Sequence, residues 1–280
     1  MAIRMDGKAM AEKLRGQIRE EAAALPRRPV LAVVLVGEDP ASQVYVRNKE
    51  KDCVECGIQS QGYRLPAETT EQQLLDLIGT LNESAQVDGI LVQLPLPKHI
   101  SEKKIIHAIR PDKDVDAFHP FNVGKIVTGE DGFLHCTPAG IMELLKEYRI
   151  DIAGKECVVV GRSNIVGKPM ALLLLREHGT VTICHSKTAD LRAETLRADI
   201  LVSAVGKRGT ITGDMVKEGA VVIDVAMNRD EQGKLCGDCL YDEAAAKASY
   251  ITPVPGGVGP MTRLILMKNT LRAARAHLEK

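Results

Sequence analysis

The sequence predicts an α/β protein of two domains, each built on a mainly parallel sheet. Short apolar runs rich in β-branched residues alternate with segments of helical periodicity, which is the pattern of β-α-β units. The alternation stops in residues 111–125, which are rich in Pro, Gly and charge, and it starts afresh after them. A chain of 280 residues is also long enough for two modest domains.

The first series of elements ends near residue 110. Asp6 is predicted to cap the first helix, Gly57 to end the second, and prolines to end the third strand. The predicted elements are a helix at 6–25, a strand at 30–37, a helix at 42–56, a strand at 58–65, a helix at 70–82, a strand at 88–97 and a short helix at about 101–109. Residues 111–125 have no clean period, so we expect a linker that lines a site.

The second series begins with a helix that is expected to bridge the two domains. Thr137 is predicted as its N-cap and Pro138 as its first residue, and it ends near Tyr148. Strands are predicted at 157–161, 180–184, 199–206, 220–226 and 250–254, with helices between them and a final amphipathic helix at 261–280. We expect this last helix to return to the first domain, so the predicted domains are 1–120 with about 261–280, and 121–260.

The composition excludes several classes of function. The chain is 45% hydrophobic and 26% charged, as expected of a soluble globular protein, and its 37 basic residues equal its 37 acidic ones. Balanced charge and scarce aromatic residues argue against nucleic-acid binding. No apolar run is long enough to span a membrane, and the first residues lack the apolar core of a signal peptide. Seven cysteines suit a reducing compartment, so we expect a cytoplasmic protein.

Two Cys-x-x-Cys pairs raise the possibility of a zinc site. The pairs are Cys53 with Cys56 and Cys236 with Cys239, and four thiolates could hold Zn²⁺. The first pair lies in a helical segment, however, where positions three apart face the same way. The two pairs are also distant in the chain, so ordinary buried thiols are the favoured interpretation.

A candidate phosphate-binding loop, GRSNIVG, follows the predicted strand at 157–161. It matches the dinucleotide fingerprint G-x-G-x-x-G at Gly161, but Ser163 replaces the middle glycine. A helix beginning near Val166 and Gly167 would direct backbone N–H groups at a pyrophosphate. The hydroxyl of Ser163 can also donate a hydrogen bond. Turns of this composition occur without a ligand, so it is the strand-turn-helix context that favours a nucleotide.

The end of the next strand predicts NADP rather than NAD. NAD-specific sites place Asp or Glu there for the ribose 2′-hydroxyl, whereas this chain has Ser186 and Lys187. Arg162 can bind a 2′-phosphate through two hydrogen bonds, and a carboxylate would repel it. The alternative is a solvated loop with ordinary surface charges.

A second group of candidate residues lies in the first series. Tyr45 and Lys49 share one helical face, so a ring for stacking lies beside an ammonium group. Gln93 lies at the C-terminal end of a predicted parallel strand, where ligands of open α/β sheets bind. Asp116 follows in the linker, and residues 253–262 (PVPGGVGPMT) follow the last strand. Taken singly, each has an ordinary explanation: a surface pair, a strand cap, a solvated carboxylate and a rigid turn.

Taken together, these motifs resemble the bifunctional methylenetetrahydrofolate dehydrogenase/cyclohydrolase family. The matching segments occur in order over nearly the whole chain: YVRNK, VQLPLP, KDVDAFHPFNVGK, CTPAG, GRSNIVGKP, CHSKT and PVPGGVGPMT. The resemblance implies two α/β domains that flank an active-site cleft, the second being a Rossmann-like NADP-binding domain. It also implies a homodimer, oxidation of 5,10-methylenetetrahydrofolate with NADP, and hydrolysis of the methenyl product to 10-formyltetrahydrofolate.

The resemblance also assigns roles by position. Lys49 corresponds to the catalytic lysine, and Gln93 to its hydrogen-bond partner. The folate is implied to contact Tyr45 by stacking, Asp116 at the pterin amine edge, and the loop containing Gly256 and Gly257. The implied NADP contacts are Gly161, Arg162 and Ser163 in the loop, Ser186 near the 2′-phosphate, and a backbone contact at Met227.

The chain departs from the family pattern at two places. Ala117 follows Asp116 where glycine is common, and Ala226 with Met227 stand where glycine and isoleucine are usual, which puts the affinity for the cofactor in doubt. Two rival functions are another NADP dehydrogenase of the shikimate type and a non-enzymatic NADP sensor. Neither needs the Tyr45 and Lys49 pair together with PGGVGP.

Overall fold

The structure is a computed structural model that describes residues 2–279. The chain divides into two compact units. We call Lys13–Leu134 with Arg263–Lys280 the three-stranded unit, and Met1–Glu12 with His135–Thr262 the six-stranded unit.

Helices and strands alternate along most of the described chain. The strands are β1 Ile3–Arg4, β2 Val30–Val36, β3 Gln59–Leu65, β4 Gly89–Val92, β5 Glu156–Val160, β6 Thr180–Cys184, β7 Ile200–Ser203, β8 Val221–Asp224, β9 Asn228–Arg229, β10 Leu235–Cys236 and β11 Tyr250–Ile251. The α-helices are α1 Gly7–Ala23, α2 Pro40–Glu55, α3 Glu71–Glu83, α4 Glu102–Ala108, α5 Pro120–Thr128, α6 Cys136–Glu147, α7 Gly167–Arg176, α8 Leu191–Leu196, α9 Tyr241–Lys247 and α10 Val258–Leu278.

The three-stranded unit has a parallel sheet in the order β3-β2-β4. The central strand, β2, is buried along its whole length, as its unbroken apolar sequence predicts. Helices α3 and α4 supply much of the apolar surface that packs on this sheet, through Leu74, Ile78 and Ile105. The sheet is therefore firmly packed, and the first polar side chain after the buried strand β4 is that of Gln93.

The six-stranded unit has a parallel sheet in the order β1-β11-β8-β7-β5-β6. Five of these strands lie in the order β6-β5-β7-β8-β11, a doubly wound, Rossmann-like arrangement with its switch point between β5 and β7. A separate antiparallel pair, β9 and β10, was not expected from the sequence. The parallel α/β architecture that the sequence predicts is confirmed in both units.

The units differ from the predicted domains in their bounds. Asn269 of α10 donates hydrogen bonds to the carbonyls of Val115 and Leu134, so residues up to 134 pack with the first series. At the other end, β1 pairs with β11 and thereby joins the six-stranded sheet. A two-residue strand gives too short a pattern to be recognised in the sequence. How binding functions divide between the units stays a prediction.

Most helix starts follow their capping residues. The Asp6 carboxylate accepts hydrogen bonds from the backbone N–H groups of Lys8 and Ala9, at 2.9 and 3.1 Å, as predicted for an N-cap. Thr137 is not an N-cap, because α6 begins at Cys136 and its hydroxyl lies 3.1 Å from that of Thr262 instead. The predicted linker at 111–125 is helical from Pro120 onward. None of the described helices is both long enough and apolar enough to cross a bilayer.

Candidate active site

Lys49 and Gln93 are hydrogen-bonded partners in the three-stranded unit. Lys49 lies on α2, and Gln93 follows the last residue of β4. The Lys49 Nζ donates to Gln93 Oε1 at 3.0 Å, while Gln93 Nε2 donates to the carbonyl of Leu94 at 2.6 Å. The second bond fixes the amide orientation, so the oxygen of Gln93 faces the lysine. Both side chains are half-buried, and the predicted pairing of Lys49 with Gln93 is present in the structure.

Tyr45 lies one helical turn before Lys49 on α2. Its side chain is 38% exposed, and burial of the rest raises the pKa of the hydroxyl above its ordinary value. At this pKa the phenol is neutral in the physiological range. A neutral ring beside the Lys49 ammonium suits the stacking role that was predicted for it.

A buried carboxylate, Asp114, folds the loop that carries Asp116. It accepts hydrogen bonds from the backbone N–H groups of Phe118 at 3.2 Å and His119 at 2.8 Å, and from Asn122 Nδ2 at 2.8 Å. Burial raises the pKa of Asp114 to about 6, and the charge of Asp116 adds to the effect. The sequence analysis did not identify Asp114. The signal was available, since Asp114, Phe118 and Asn122 lie at short spacings within one irregular segment.

Asp116 lies at the same edge of the sheet as Gln93. Asp114 pairs with Ile90 of β4 as an isolated parallel bridge, so the two segments run side by side. Two residues further along both segments lie Asp116 and the end of β4. The next residue, Ala117, is completely buried and has φ of 62°, in the left-handed region that favours glycine. This explains why a glycine would suit the position, and the alanine retains that backbone path.

Helix α2 is anchored one turn beyond Lys49 by a buried ion pair. Asp52 is 2% exposed and accepts hydrogen bonds from Arg15 of α1 at 3.1 Å and Arg263 of α10 at 2.5 Å. A buried carboxylate needs such partners to offset its desolvation. The register of α2, and with it the position of Lys49, is therefore tied to two other helices. Sequence reasoning missed this cluster because its members lie in three distant segments.

The predicted phosphate-binding loop connects β5 to α7 in the six-stranded unit. Gly161 has φ of 126°, and a Cβ there would lie 2.4 Å from the Ala204 carbonyl oxygen. A Cβ on Gly167 would lie 2.2 Å from the Gly161 carbonyl oxygen. Both glycines are thus required by close backbone approaches within the protein. Gly161 is the first glycine of the fingerprint, whereas Gly167 follows the position of its last glycine, which is occupied by Val166.

Ser163 takes the place of the middle glycine by bonding to the start of α7. Its Oγ accepts from the backbone N–H groups of Val166 at 3.2 Å and Gly167 at 3.3 Å. The hydroxyl proton of Ser163 is consequently directed away from these donors. It remains available to another acceptor, and the donor role predicted for Ser163 toward a phosphate stays a prediction.

Arg162 and Ser186 lie at the ends of neighbouring strands. β5 pairs with β6, and the Gly161 N–H donates to the carbonyl of Cys184 at 2.9 Å. Arg162 is exposed, and its guanidinium makes no hydrogen bond or ion pair within residues 2–279. Ser186 is exposed in a turn held by the His185 N–H, which donates to Thr188 Oγ1 at 2.9 Å. A free guanidinium beside an exposed hydroxyl fits a phosphomonoester.

The remaining predicted residues follow β8 and β11. Met227 is 45% exposed just after β8. Gly256 and Gly257 are buried, and a Cβ on Gly7 would lie 1.7 Å from the Gly257 carbonyl oxygen. The start of α1 therefore lies directly on this loop, which the sequence did not suggest. These glycines serve packing within the unit, and the folate contact predicted for them stays a prediction.

Three of the four paired cysteines, Cys53, Cys56 and Cys239, are buried thiols. Burial raises the pKa of both Cys53 and Cys56 to about 12, and that of Cys239 well above its ordinary value. Such thiols stay protonated and are poor metal ligands. No group of three or more His, Cys, Asp or Glu side chains among residues 2–279 is arranged to hold a metal ion.

Taken together, the residues of the loop fit NADP. Two glycines permit a tight strand-turn-helix path, Ser163 bonds the first N–H groups of α7, and the Arg162 guanidinium has no hydrogen bond or ion pair within residues 2–279 that would compete with a phosphate. This fit follows from the backbone geometry and the charge of the loop itself.

Comparisons with known proteins agree with this geometry. Residues 5–116 match the catalytic domain, and residues 135–278 the NAD(P)-binding domain, of tetrahydrofolate dehydrogenase/cyclohydrolase. The bifunctional protein FolD of Lachnoclostridium phytofermentans is 59% identical over 278 residues, covering 98% of this chain and 99% of the relative.

Solved structures give the same result. The bifunctional FolD enzyme of Campylobacter jejuni has a TM-score of 0.97 at 50% identity, with 99% of each chain covered. The Trypanosoma brucei dehydrogenase-cyclohydrolase, solved with NADP and an inhibitor, has a TM-score of 0.95 at 39% identity, covering 100% of this chain and 99% of that one. Shikimate dehydrogenase from Aquifex aeolicus is 12% identical with a TM-score of 0.54, so it shares the fold alone.

Family models thus match both parts of the chain, and the full-length relatives are bifunctional. The chain belongs to the tetrahydrofolate dehydrogenase/cyclohydrolase family, with the catalytic domain and the NAD(P)-binding domain of that family.

Proposed function

We propose that this chain oxidises 5,10-methylenetetrahydrofolate to 5,10-methenyltetrahydrofolate with NADP, and then hydrolyses the product to 10-formyltetrahydrofolate, at a site centred on Lys49. The observation that carries the proposal is the 3.0 Å hydrogen bond between Lys49 and a Gln93 amide of fixed orientation. A lysine next to a neutral acceptor at a strand end is suited to proton transfer.

The oxidation demands mainly positioning from the protein. NADP, when bound, supplies the hydride acceptor. Tyr45 stacks on the pterin, and the Asp116 carboxylate accepts hydrogen bonds from its amine edge, so the bridging carbon is held in one place. Two ring nitrogens of the folate share the cation that hydride loss leaves behind. Orientation of this kind can supply much of the rate enhancement.

The hydrolysis needs a base for the attacking water. Lys49 can accept that proton only while its amine is neutral. Gln93 orients the amine without adding a negative charge, whereas a carboxylate in its place would hold the ammonium form. The pairing with Gln93 therefore suits the second reaction in particular.

The cofactor residues act in the six-stranded unit. The Gly161 to Gly167 loop and the Ser163 hydroxyl hold the diphosphate, and Arg162 with Ser186 bind the 2′-phosphate. Met227 contributes a backbone contact, and Gly256 with Gly257 border the folate.

We also infer that the enzyme is a homodimer that works in the cytoplasm. The family resemblance supports the dimer, and seven free cysteines suit a reducing compartment. Light scattering on the purified chain tests the dimer, and a monomer at micromolar concentration would contradict it.

A coupled absorbance assay tests the proposed function. Methylenetetrahydrofolate and NADP should yield NADPH together with transient methenyltetrahydrofolate, which then disappears faster than its uncatalysed rate. Shikimate with NADP serves as the control substrate and should yield no NADPH. NADP binding without turnover of either substrate would support a sensor instead, and turnover of shikimate alone would support the rival dehydrogenase.

A further inference from the structure

The loop after β7 forms an anion-binding nest that is already filled by a side chain. The backbone N–H groups of Val205, Gly206 and Lys207 converge on the Asp238 carboxylate at 2.8, 3.0 and 2.8 Å. Consecutive N–H groups of this kind commonly bind phosphate or another external anion. Here the anion belongs to the protein, so these donors are used before any ligand arrives.

Asp238 is completely buried and has two further donors. Ser203 Oγ donates to Oδ2 at 2.9 Å, and Asn228 Nδ2 donates to Oδ1 at 3.0 Å. The carboxylate thus receives five hydrogen bonds from neutral donors. Removal of a charge from such a site leaves several buried donors without an acceptor, which is costly.

The segments held by Asp238 adjoin the predicted cofactor loop. β7 pairs with β5, and the Ala204 N–H donates to the carbonyl of Val160 at 2.8 Å. The Ala204 carbonyl then fixes the tight approach at Gly161. Asn228 directly follows Met227 in the segment after β8, and β8 pairs with β7 on the side away from β5. One carboxylate consequently ties the backbone after β7, which adjoins the nucleotide loop, to the segment after β8.

The backbone around Asp238 is itself held by a second carboxylate. Asp224 accepts from the N–H groups of Asp238 at 2.9 Å and Cys239 at 2.8 Å. A Cβ on Gly237 would lie 1.9 Å from Asp224 Oδ2, so only glycine permits this wrap. The CGDC sequence therefore encodes a loop around Asp224 that presents Asp238.

We propose that Asp238 is a positioning residue for NADP binding, which holds the loop at 204–207 and the segment at 227–228 in the conformation that accepts the cofactor. Because it occupies the nest at 205–207, those N–H groups are not available to the cofactor's phosphates, which the proposed function assigns to the Gly161 to Gly167 loop. This inference rests on the proposed use of NADP, but it concerns binding and needs no turnover to be tested.

Asp238→Asn tests the proposal, with Asp242→Asn as the matched control. The first change replaces one carboxylate oxygen by an NH₂ group that faces N–H donors. The second makes the same chemical change at an exposed position in the first turn of α9. Calorimetry should show that Asp238→Asn raises the dissociation constant for NADP about tenfold or more, because hydrogen bonds to a charged acceptor are lost. The same constant should be unchanged in Asp242→Asn.

Hydrolysis of methenyltetrahydrofolate, measured without NADP, separates positioning from folding. It should fall much less in Asp238→Asn than kcat/KM for NADP does. An NADP dissociation constant within about twofold of wild type, or equal losses in both reactions, would overturn the proposal. Should Asp238→Asn fail to fold, Asn228→Ala removes a single donor and keeps the carboxylate. Asn228→Ala should raise the dissociation constant for NADP by a smaller factor, and an unchanged dissociation constant would overturn the proposal.

Discussion

Replacing Arg162 by alanine should convert the chain from a protein that prefers NADP to one that binds NADP and NAD about equally. Arg162 has no hydrogen bond or ion pair within residues 2–279, so its removal costs no internal contact that the structure describes. What is lost is a charge-assisted, two-point contact with the 2′-phosphate, about 1.5–3 kcal/mol. That corresponds to roughly 10- to 150-fold in the NADP dissociation constant, and the exposure of the side chain favours the lower end at physiological salt.

The assay is calorimetric titration of wild type and variant with NADP and with NAD. Arg176→Ala is the matched control, because it removes the same charge from the exposed far end of α7. The length of α7 places Arg176 about 15 Å from the start of the helix, which is beyond the screening length at physiological salt. Equal weakening of NADP and NAD by Arg162→Ala, or equal effects of the two variants on NADP, would refute the assignment.

Three further predictions follow from the same geometry. Asp116→Ala should raise KM for the folate about tenfold in both reactions, since both act on one bound pterin; unchanged folate binding by calorimetry would contradict this role. Gly167→Ala should weaken NADP binding about tenfold or more, because its Cβ would lie 2.2 Å from the Gly161 carbonyl oxygen. The control Gly16→Ala should leave NADP binding intact in the same titration, because a Cβ on Gly16 has no atom within 4 Å. Burial lowers the pKa of His135 to about 4, so the stability that depends on its neutral form is complete above about pH 6.5 and is lost as the pH falls toward 4. Denaturant unfolding of wild type should therefore lose about 2 kcal/mol more than His135→Gln between about pH 7.5 and pH 5, and parallel losses would show that the histidine is not responsible.

The sequence predicted β2, the Gly161 to Gly167 loop and Gln93 correctly in position, because each depends on a pattern of neighbouring residues. β2 is an uninterrupted apolar run, and it is the fully buried centre of its sheet. The loop from Gly161 to Gly167 carries its own steric requirement in the two glycines, so the sequence alone located it. Gln93 was found because the end of a parallel strand is a recurrent place for ligands.

The misses concern interactions between distant segments. The strand predicted at 199–206 ends at Ser203, because the following backbone turns its N–H groups toward Asp238, some 30 residues on. Thr137 has the residue type of an N-cap, but its hydroxyl lies beside Thr262 instead. The backbone of the segment with Cys236 and Cys239 encloses Asp224, a contact that the spacing of the two thiols does not reveal. The periodicity of a short segment does not reveal contacts with residues far away in the chain.

The measurement that tests the central claim most directly is the hydrolysis of purified methenyltetrahydrofolate by Lys49→Met and Lys51→Met. Both substitutions remove an ammonium group from α2 and keep the apolar stem, but Lys51 is 73% exposed and pairs only weakly with Glu55, at 3.7 Å. The account predicts that Lys49→Met loses hydrolysis above the uncatalysed rate while it retains some oxidation, so that methenyltetrahydrofolate accumulates, and that Lys51→Met behaves as wild type. Lys49→Arg should not restore hydrolysis, since a guanidinium cannot accept a proton near neutral pH. Hydrolysis at the wild-type rate in a folded Lys49→Met variant would contradict the account.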